Sequence, residues 1–172
     1  LDKILKSGVH ILKIEGRGRS ADYVDTVVRC YKEAVTAIQE GTYTSEKIDA
    51  WTKRLATVYN RGFWDGYYLG RKMGEWNDSY GSKATEKKIL IARGVKYFNK
   101  INIGEFKMES HSLKQGDKIM LTGPAFGILK MDVQEIRKDN ISVDSVFKGD
   151  VFSMEVSEVI RPSTKLYKIV SA

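Results

Sequence analysis

Gly116-Asp117-Lys118-Ile119-Met120-Leu121 returns in kind as Gly149-Asp150-Val151-Phe152-Ser153-Met154, and these two passages decide the fold class of the second half of the chain. Glycine reaches turn conformations without steric cost and aspartate hydrogen-bonds its own local backbone, so each Gly-Asp pair can turn the chain into the strand that follows. Further short β-like runs surround them: Lys87 to Asn99, Ile101 to Met108, Lys118 to Thr122, Ile128 to Arg137, Ile141 to Val143, Val151 to Val156 and Leu166 to Val170. Six or seven strands within about 86 residues predict a small closed all-β barrel over residues 86–172, because closure removes exposed strand edges.

Toward the N-terminus the pattern changes. Residues 72–85 are polar, with Gly74, Asn77, Asp78, Ser79, Gly81 and Ser82, and read as a linker. Before them, Asn60-Arg61-Gly62-Phe63-Trp64-Asp65-Gly66-Tyr67-Tyr68-Leu69-Gly70-Arg71 interrupts aromatics with glycines at intervals of four, which suits a loop. Two helices precede this loop. Ser20 is a fitting N-cap for the first, whose apolar positions Tyr23, Val24, Val27, Val28, Tyr31, Ala34, Val35 and Ile38 recur at three and four until Gly41. The second starts near Ser45, carries Ile48, Trp51, Leu55 and Val58 on one stripe, and is expected to run to about Tyr59, antiparallel to the first.

At the start, Leu1 to Lys6 reads as the last turns of a helix with Ser7-Gly8 as its C-cap, and Val9-His10-Ile11-Leu12-Lys13-Ile14 as an apolar strand. Near-continuous apolar strands are typical of buried parallel sheets. No second βα unit is available to pair with this one, so the chain is expected to begin inside a domain. The fold class expected is α+β: residues 1–71 form the strand, two helices and loop, and a barrel follows the linker.

Composition narrows the function. With 42% hydrophobic and 30% charged residues, 172 residues can bury one ordinary core or two small ones. Net charge is +7, which favours polyanionic partners, yet residues 1–84 carry 14 basic and 11 acidic side chains and residues 85–172 carry 15 and 11. Neither half is a basic arm. One cysteine, Cys30, makes neither an internal disulfide nor a cysteine-rich metal site, and a reducing, cytoplasmic compartment is the expectation. No apolar run approaches the roughly 18 residues of a membrane span, and the first residues lack a signal peptide's apolar core. HExxH, CxxC, P-loop and GxGxxG patterns do not occur, so no cofactor or metal is expected in this segment.

Three places could carry chemistry. Where Lys13-Ile14-Glu15-Gly16-Arg17 leaves the apolar run, Glu15 could act as a general base or orient a ligand, while Arg17 and Arg19 could hold a phosphate or carboxylate. The plainer alternative is a structural Glu15–Arg17 ion pair. Arg61, Phe63, Trp64, Tyr67, Tyr68 and Arg71 combine cations with ring faces, as single-stranded nucleic-acid sites do, although such aromatics also plug junctions between domains. Cys30 lies beside the stripe of Val27, Tyr31 and Ala34 and reads as a buried inert thiol; His10 and His111 have no Ser or Cys partner nearby in sequence.

The run Leu12-Lys13-Ile14-Glu15-Gly16-Arg17, with Ser20, Tyr23-Val24 and Val27-Val28-Arg29-Cys30-Tyr31, resembles the peptidase U32 (collagenase-like protease) family. Arg61-Gly62-Phe63 with Gly66-Tyr67 looks like the glycine-aromatic segment that follows in that family. The resemblance implies that residues 1–71 close a β/α-barrel catalytic domain. It also implies that residues 86–172 form the family's C-terminal barrel, similar to the second domain of elongation factor Tu.

Family members are named for proteolysis or take part in hydroxylating the wobble uridine of tRNA. Their signature cysteines, including those implied to hold an iron–sulfur cluster in some members, would precede Leu1. The resemblance therefore implies an accessory, substrate-seating segment for tRNA wobble-uridine hydroxylation and not a self-sufficient catalyst, the alternatives being an accessory domain of a collagenase-like peptidase or a purely structural interdomain barrel. Its expected partners are an upstream catalytic domain and tRNA, or alternatively a polypeptide substrate, with no membrane involved. Glu15 and Arg17 are the candidate catalytic residues, and Arg19, Arg61, Phe63, Trp64, Tyr67 and Arg71 the candidate RNA- or substrate-binding ones.

Overall fold

The computed structural model describes residues 1–63 and 81–172, and they divide into two compact units, Leu1–Thr85 and Glu86–Ala172. Trp64, Tyr67, Tyr68, Arg71 and most of the expected linker lie outside the described residues.

The first unit is helical. α1 (Asp2–Lys6) is followed by α2 (Ala21–Gln39) and α3 (Ser45–Ala56). α2 stops where the sequence says it should: Gly41, at φ +70°, lets Thr42 N–H reach the Ala37 carbonyl at 2.8 Å and Gly41 N–H the Ile38 carbonyl at 3.3 Å. Thr44 caps α3, its hydroxyl accepting from Lys47 N–H at 3.4 Å. Glu33 of α2 accepts from Trp51 Nε1 at 2.9 Å and pairs with Arg54 at 2.5 Å, both on α3, while Lys47 near the start of α3 donates through Nζ to Thr42 Oγ1, just past the end of α2, at 2.8 Å. The two helices therefore run antiparallel. Val27, Cys30, Ala34 and Ala37 make the buried stripe of α2, and Trp51 stacks on Tyr43 at 5.8 Å.

Two expectations need correction here. Val9–Ile14 forms no strand: Ile11 is 85% exposed, and no described residue pairs with the segment. A lone extended run has nowhere to place its backbone hydrogen bonds, so apolar character cannot make it a strand without neighbours. The second helix ends at Ala56, short of Tyr59, because the Ala56 carbonyl is taken by Thr85 N–H at 3.0 Å and Asn60 carbonyl by Lys83 N–H at 2.7 Å.

The second unit is antiparallel β. Its strands are β1 (Glu86–Phe98), β2 (Ile103–Met108), β3 (Ser112–Lys114), β4 (Lys118–Gly123), β5 (Gly127–Asp132), β6 (Ile136–Lys138), β7 (Ile141–Val143), β8 (Ser145–Phe147), β9 (Val151–Glu155) and β10 (Lys165–Ser171). Eight form one sheet in the order β5-β4-β10-β1-β2-β9-β6-β7, and β3 pairs with β8. Inward side chains from strands along the whole ladder, including Ile119, Leu121, Leu166, Ile91, Phe106, Phe152 and Ile136, share a single buried core. The sheet therefore curls around that core. Its ladder does not close as expected, since among the described residues no pairing joins β5 to β7.

Both Gly-Asp pairs do the work read from sequence, and they do it alike. Gly116 and Gly149 adopt φ +81° and +95°. Asp117 accepts Lys114 N–H at 2.7 Å and Asp150 accepts Phe147 N–H at 2.8 Å. Each carboxylate also holds a lysine from a distant strand: Lys168 on Asp117 at 2.7 Å and Lys138 on Asp150 at 2.6 Å. Leu113 faces Val146 at the centre of the β3–β8 pair, so the two halves are related as a local two-fold with a common offset of 33 residues. The short β3 and β8 were not legible as strands in the sequence, and the run 128–137 splits into β5 and β6.

Candidate functional site: an arginine–tyrosine cluster

The segment that leaves Ile14 turns sharply before α2. Arg19 N–H donates to the Gly16 carbonyl at 3.0 Å, and Gly18 inside this turn sits at φ +69°, a conformation that favours glycine. Gly16 is close-packed as well, since a Cβ there would stand 2.9 Å from Val24 Cγ2. The glycines of Gly16-Arg17-Gly18-Arg19 thus hold two arginines at the entrance of α2. Glu15 is exposed, and its Oε1 accepts Arg17 backbone N–H at 2.7 Å. Among the described residues no Glu15–Arg17 ion pair forms, so the carboxylate braces the turn itself. Arg17 is exposed.

Arg19 lies over the Tyr59 ring, its guanidinium carbon 4.0 Å from the centroid, and is 5.7 Å from that of Tyr23. Such stacking is worth about 0.5–1 kcal/mol at an exposed site. Arg61 approaches the same tyrosine from its polar end, Nε donating to the hydroxyl at 2.9 Å. These two guanidinium groups, Arg61 first and then Arg19, hold the Tyr59 phenol below its ordinary pKa.

Asn60 fixes the short segment after α3. Its amide donates to the Val58 carbonyl at 2.9 Å and its Oδ1 accepts Gly62 N–H at 3.0 Å. Phe63 beyond it is 58% exposed. Arg19 and Arg61, far apart in sequence, are therefore brought onto one tyrosine. Tyr23 and Tyr59 were read from sequence only as helix positions, and the spacing of Arg19 and Tyr23 at i and i+4 across the helix start was the signal available.

The cluster suits anion binding better than covalent chemistry. Guanidinium groups present planar arrays of donors to phosphate or carboxylate, and the adjacent rings offer stacking faces. Two nucleophile candidates among the described residues, Cys30 and Ser110, are held inactive. Cys30 is 2% exposed and burial pushes its thiol up, away from the reactive thiolate. Ser110 gives its hydroxyl proton to the Leu90 carbonyl at 2.6 Å, so its 3.0 Å approach to His111 Nδ1 is no activated pair. Among the described residues no group of three His, Cys, Asp or Glu side chains could hold a metal ion, and no helix is long and apolar enough to cross a membrane.

Comparison with known proteins agrees with the motif that forms this turn. The family model described as Peptidase family U32 matches residues 1–78, which contain the whole cluster. Residues 1–78 belong to peptidase family U32. It corresponds to a C-terminal portion of U32 proteins. Among curated relatives, a Collagenase of Porphyromonas gingivalis is 49% identical over 168 residues, covering 98% of this chain and 41% of that protein. The tRNA hydroxylation protein P of Haemophilus influenzae is 24% identical over 151 residues, covering 87% of this chain and 32% of that protein. The chain thus spans less than half the length of these U32 relatives. Among solved structures, the C-terminal domain of a Geobacillus thermoleovorans protein described as a U32 peptidase aligns with a TM-score of 0.43 at 12% identity, covering 45% of this chain and 96% of that domain.

Proposed function

We propose that this chain is an accessory, substrate-seating segment of a U32 protein that acts in tRNA wobble-uridine hydroxylation, and that the arginine–tyrosine cluster is where RNA is seated. The observation that carries the reading is Arg19 and Arg61 converging on Tyr59 at 4.0 Å and 2.9 Å, with Phe63 exposed beside them in sequence. Arginine beside open ring faces contacts phosphates electrostatically and stacks unpaired bases, a pairing that polypeptide backbones do not require. By residue type, Trp64 and Tyr67 are proposed to add stacking rings and Arg71 a further cation to RNA binding. Glu15 holds the turn, and Arg17 adds a third cation. The curled sheet of the second unit, read as a barrel like the second domain of elongation factor Tu, fits an RNA-seating role. An iron–sulfur cluster, if the parent uses one, would lie upstream of this segment.

The test is binding of this chain to total tRNA at low and moderate salt. Arg19→Ala and Arg61→Ala are each expected to weaken binding across all tRNAs and to make the salt dependence shallower by about one counterion, as loss of one phosphate contact does. Binding that ignores salt and both substitutions would reject the assignment.

A second reading is favoured by a specific observation: the relative with 49% identity is named Collagenase. In that case the chain serves as an exosite or stability module of a peptidase. Titration against denatured collagen in the same assay separates the two, since the peptidase reading predicts collagen binding untouched by Arg19→Ala and Arg61→Ala.

A further inference from the structure

The β unit carries a groove of about 750 Å³ that belongs to no site described above. Its lining comes from both margins of the open ladder: Leu129 and Met131 from the terminal strand β5, and Arg137 from β6, next to the other terminal strand. Phe98 and Ile101, at the turn between β1 and β2, stand on the same groove, and Ile101 is 63% exposed. β5 pairs with β4 alone, so one row of its backbone N–H and C=O groups has no strand partner among the described residues.

The groove's charge is opposite in sign to that of the chain, whose net charge is +7. Glu105, Glu135 and Glu155 face a single cation, Arg137, whose Nε is held by Glu135 at 3.0 Å. Among the described residues Glu105 and Glu155 make no ion pair. Lys96, the cross-strand partner of Glu105, keeps its ammonium 4.9 Å from the Phe98 ring centroid instead. Carboxylates repel a phosphate backbone. An open ladder edge flanked by apolar side chains and uncompensated carboxylates has the chemistry that accepts an added strand, main-chain hydrogen bonds giving affinity and alternate side chains giving selectivity.

We infer that this groove docks an extended polypeptide segment in which apolar side chains alternate with basic ones, added as a strand along the free edge of β5. The inference stands independently of the RNA reading, which concerns the other unit.

It is tested with the full chain and two fluorescent seven-residue peptides, one alternating valine with lysine and one valine with glutamate, read by anisotropy and by amide chemical shifts. The lysine peptide is expected to bind at least about tenfold more tightly, to weaken with added salt, and to shift amides of β5 and of Glu105 and Glu155. Glu105→Lys combined with Glu155→Lys is expected to weaken it by roughly tenfold or more. Should that variant fail to keep the parent's thermal midpoint, Ile101→Ser at the exposed turn is read instead, with weakened lysine-peptide binding expected. Equal affinity for the two peptides, no binding, or groove amides that respond to single-stranded RNA in place of the peptide would overturn the inference.

Discussion

Gly94 shows how a single atom's space can constrain this fold. A Cβ added there would meet the Arg161 carbonyl oxygen at 2.3 Å and Ile160 Cγ2 at 2.5 Å, and Gly94 N–H already donates to the Thr164 carbonyl at 2.9 Å. The obstacle is backbone, which cannot rotate away as a side-chain tip can. Gly94→Ala is expected to cost about 2–3 kcal/mol, measured as a lowered urea midpoint with loss of the β unit's near-ultraviolet signal. Cys30 poses the opposite case, a reactive atom kept from reagents. Buried in the α2 stripe with its thiol pushed up, it is expected to react with a thiol-specific reagent far more slowly in the native chain than after denaturation. Fast native labelling would contradict that burial. Its inertness was readable from neighbours Val27, Tyr31 and Ala34, whereas nothing around Gly94 in the sequence announces the carbonyl that abuts it.

At the scale of elements, the turns carry much of the specification. Gly116 and Gly149 both need positive φ, and alanine at either is expected to cost about 1 kcal/mol in thermal or denaturant unfolding. The Asp150–Lys138 pair adds a pH signature. Lys138, then the Phe147 amide, hold the Asp150 carboxyl below its ordinary pKa, and Asp150 raises the pKa of Lys138. A depressed carboxylate stabilises the fold above its unfolded pKa and loses that contribution as pH falls through the folded one. A raised lysine stabilises below its unfolded pKa and loses it as pH rises through the folded value. The pair therefore contributes across the neutral range and fades in acid and in strong alkali. Asp150→Asn is expected to lower the thermal midpoint at pH 7 and to flatten its fall between neutral and acid pH. In the helical unit Glu33 behaves likewise, lowered first by its hydrogen bond from Arg54. Because both partners are nearly half exposed, at 47% and 43%, screening leaves roughly 0.5 kcal/mol for a double-mutant cycle to find.

Across the whole molecule, two compact units divide the proposed labours, a cationic aromatic cluster in one and a carboxylate-lined groove in the other. The chain-wide charge of +7 pointed toward polyanions without saying where. Structure localises opposite signs at the two proposed surfaces, one in each unit, so Arg19→Ala is expected to leave lysine-peptide affinity unchanged. Loss of peptide binding in that variant would mean that one surface takes both. The candidate site was half legible. Arg19, Arg61 and Phe63 stood out as cations and exposed rings, and the motif around Glu15 was specific enough to suggest the family. Glu15 accepts the Arg17 amide of its own turn through one oxygen of an exposed carboxylate.

Local chemistry determined what the sequence alone could determine. Three-and-four periodicity up to Gly41 set α2, whose N-cap position Ser20 fills without a side-chain cap bond, and Gly-Asp pairs set the entries to β4 and β9, because turns depend on residues within a few positions of one another. Family membership was likewise carried by a contiguous run. Tertiary structure decided whatever needs a partner far along the chain. Val9–Ile14 has strand-like side chains but no neighbour among the described residues to receive its hydrogen bonds, so it stays irregular. The pairing of β3 with β8, the open ends of the sheet at β5 and β7, and the meeting of Arg19 with Arg61 on Tyr59 all depend on contacts between distant segments. A pattern within one segment specifies that segment's own conformation. It does not specify which remote surface completes it.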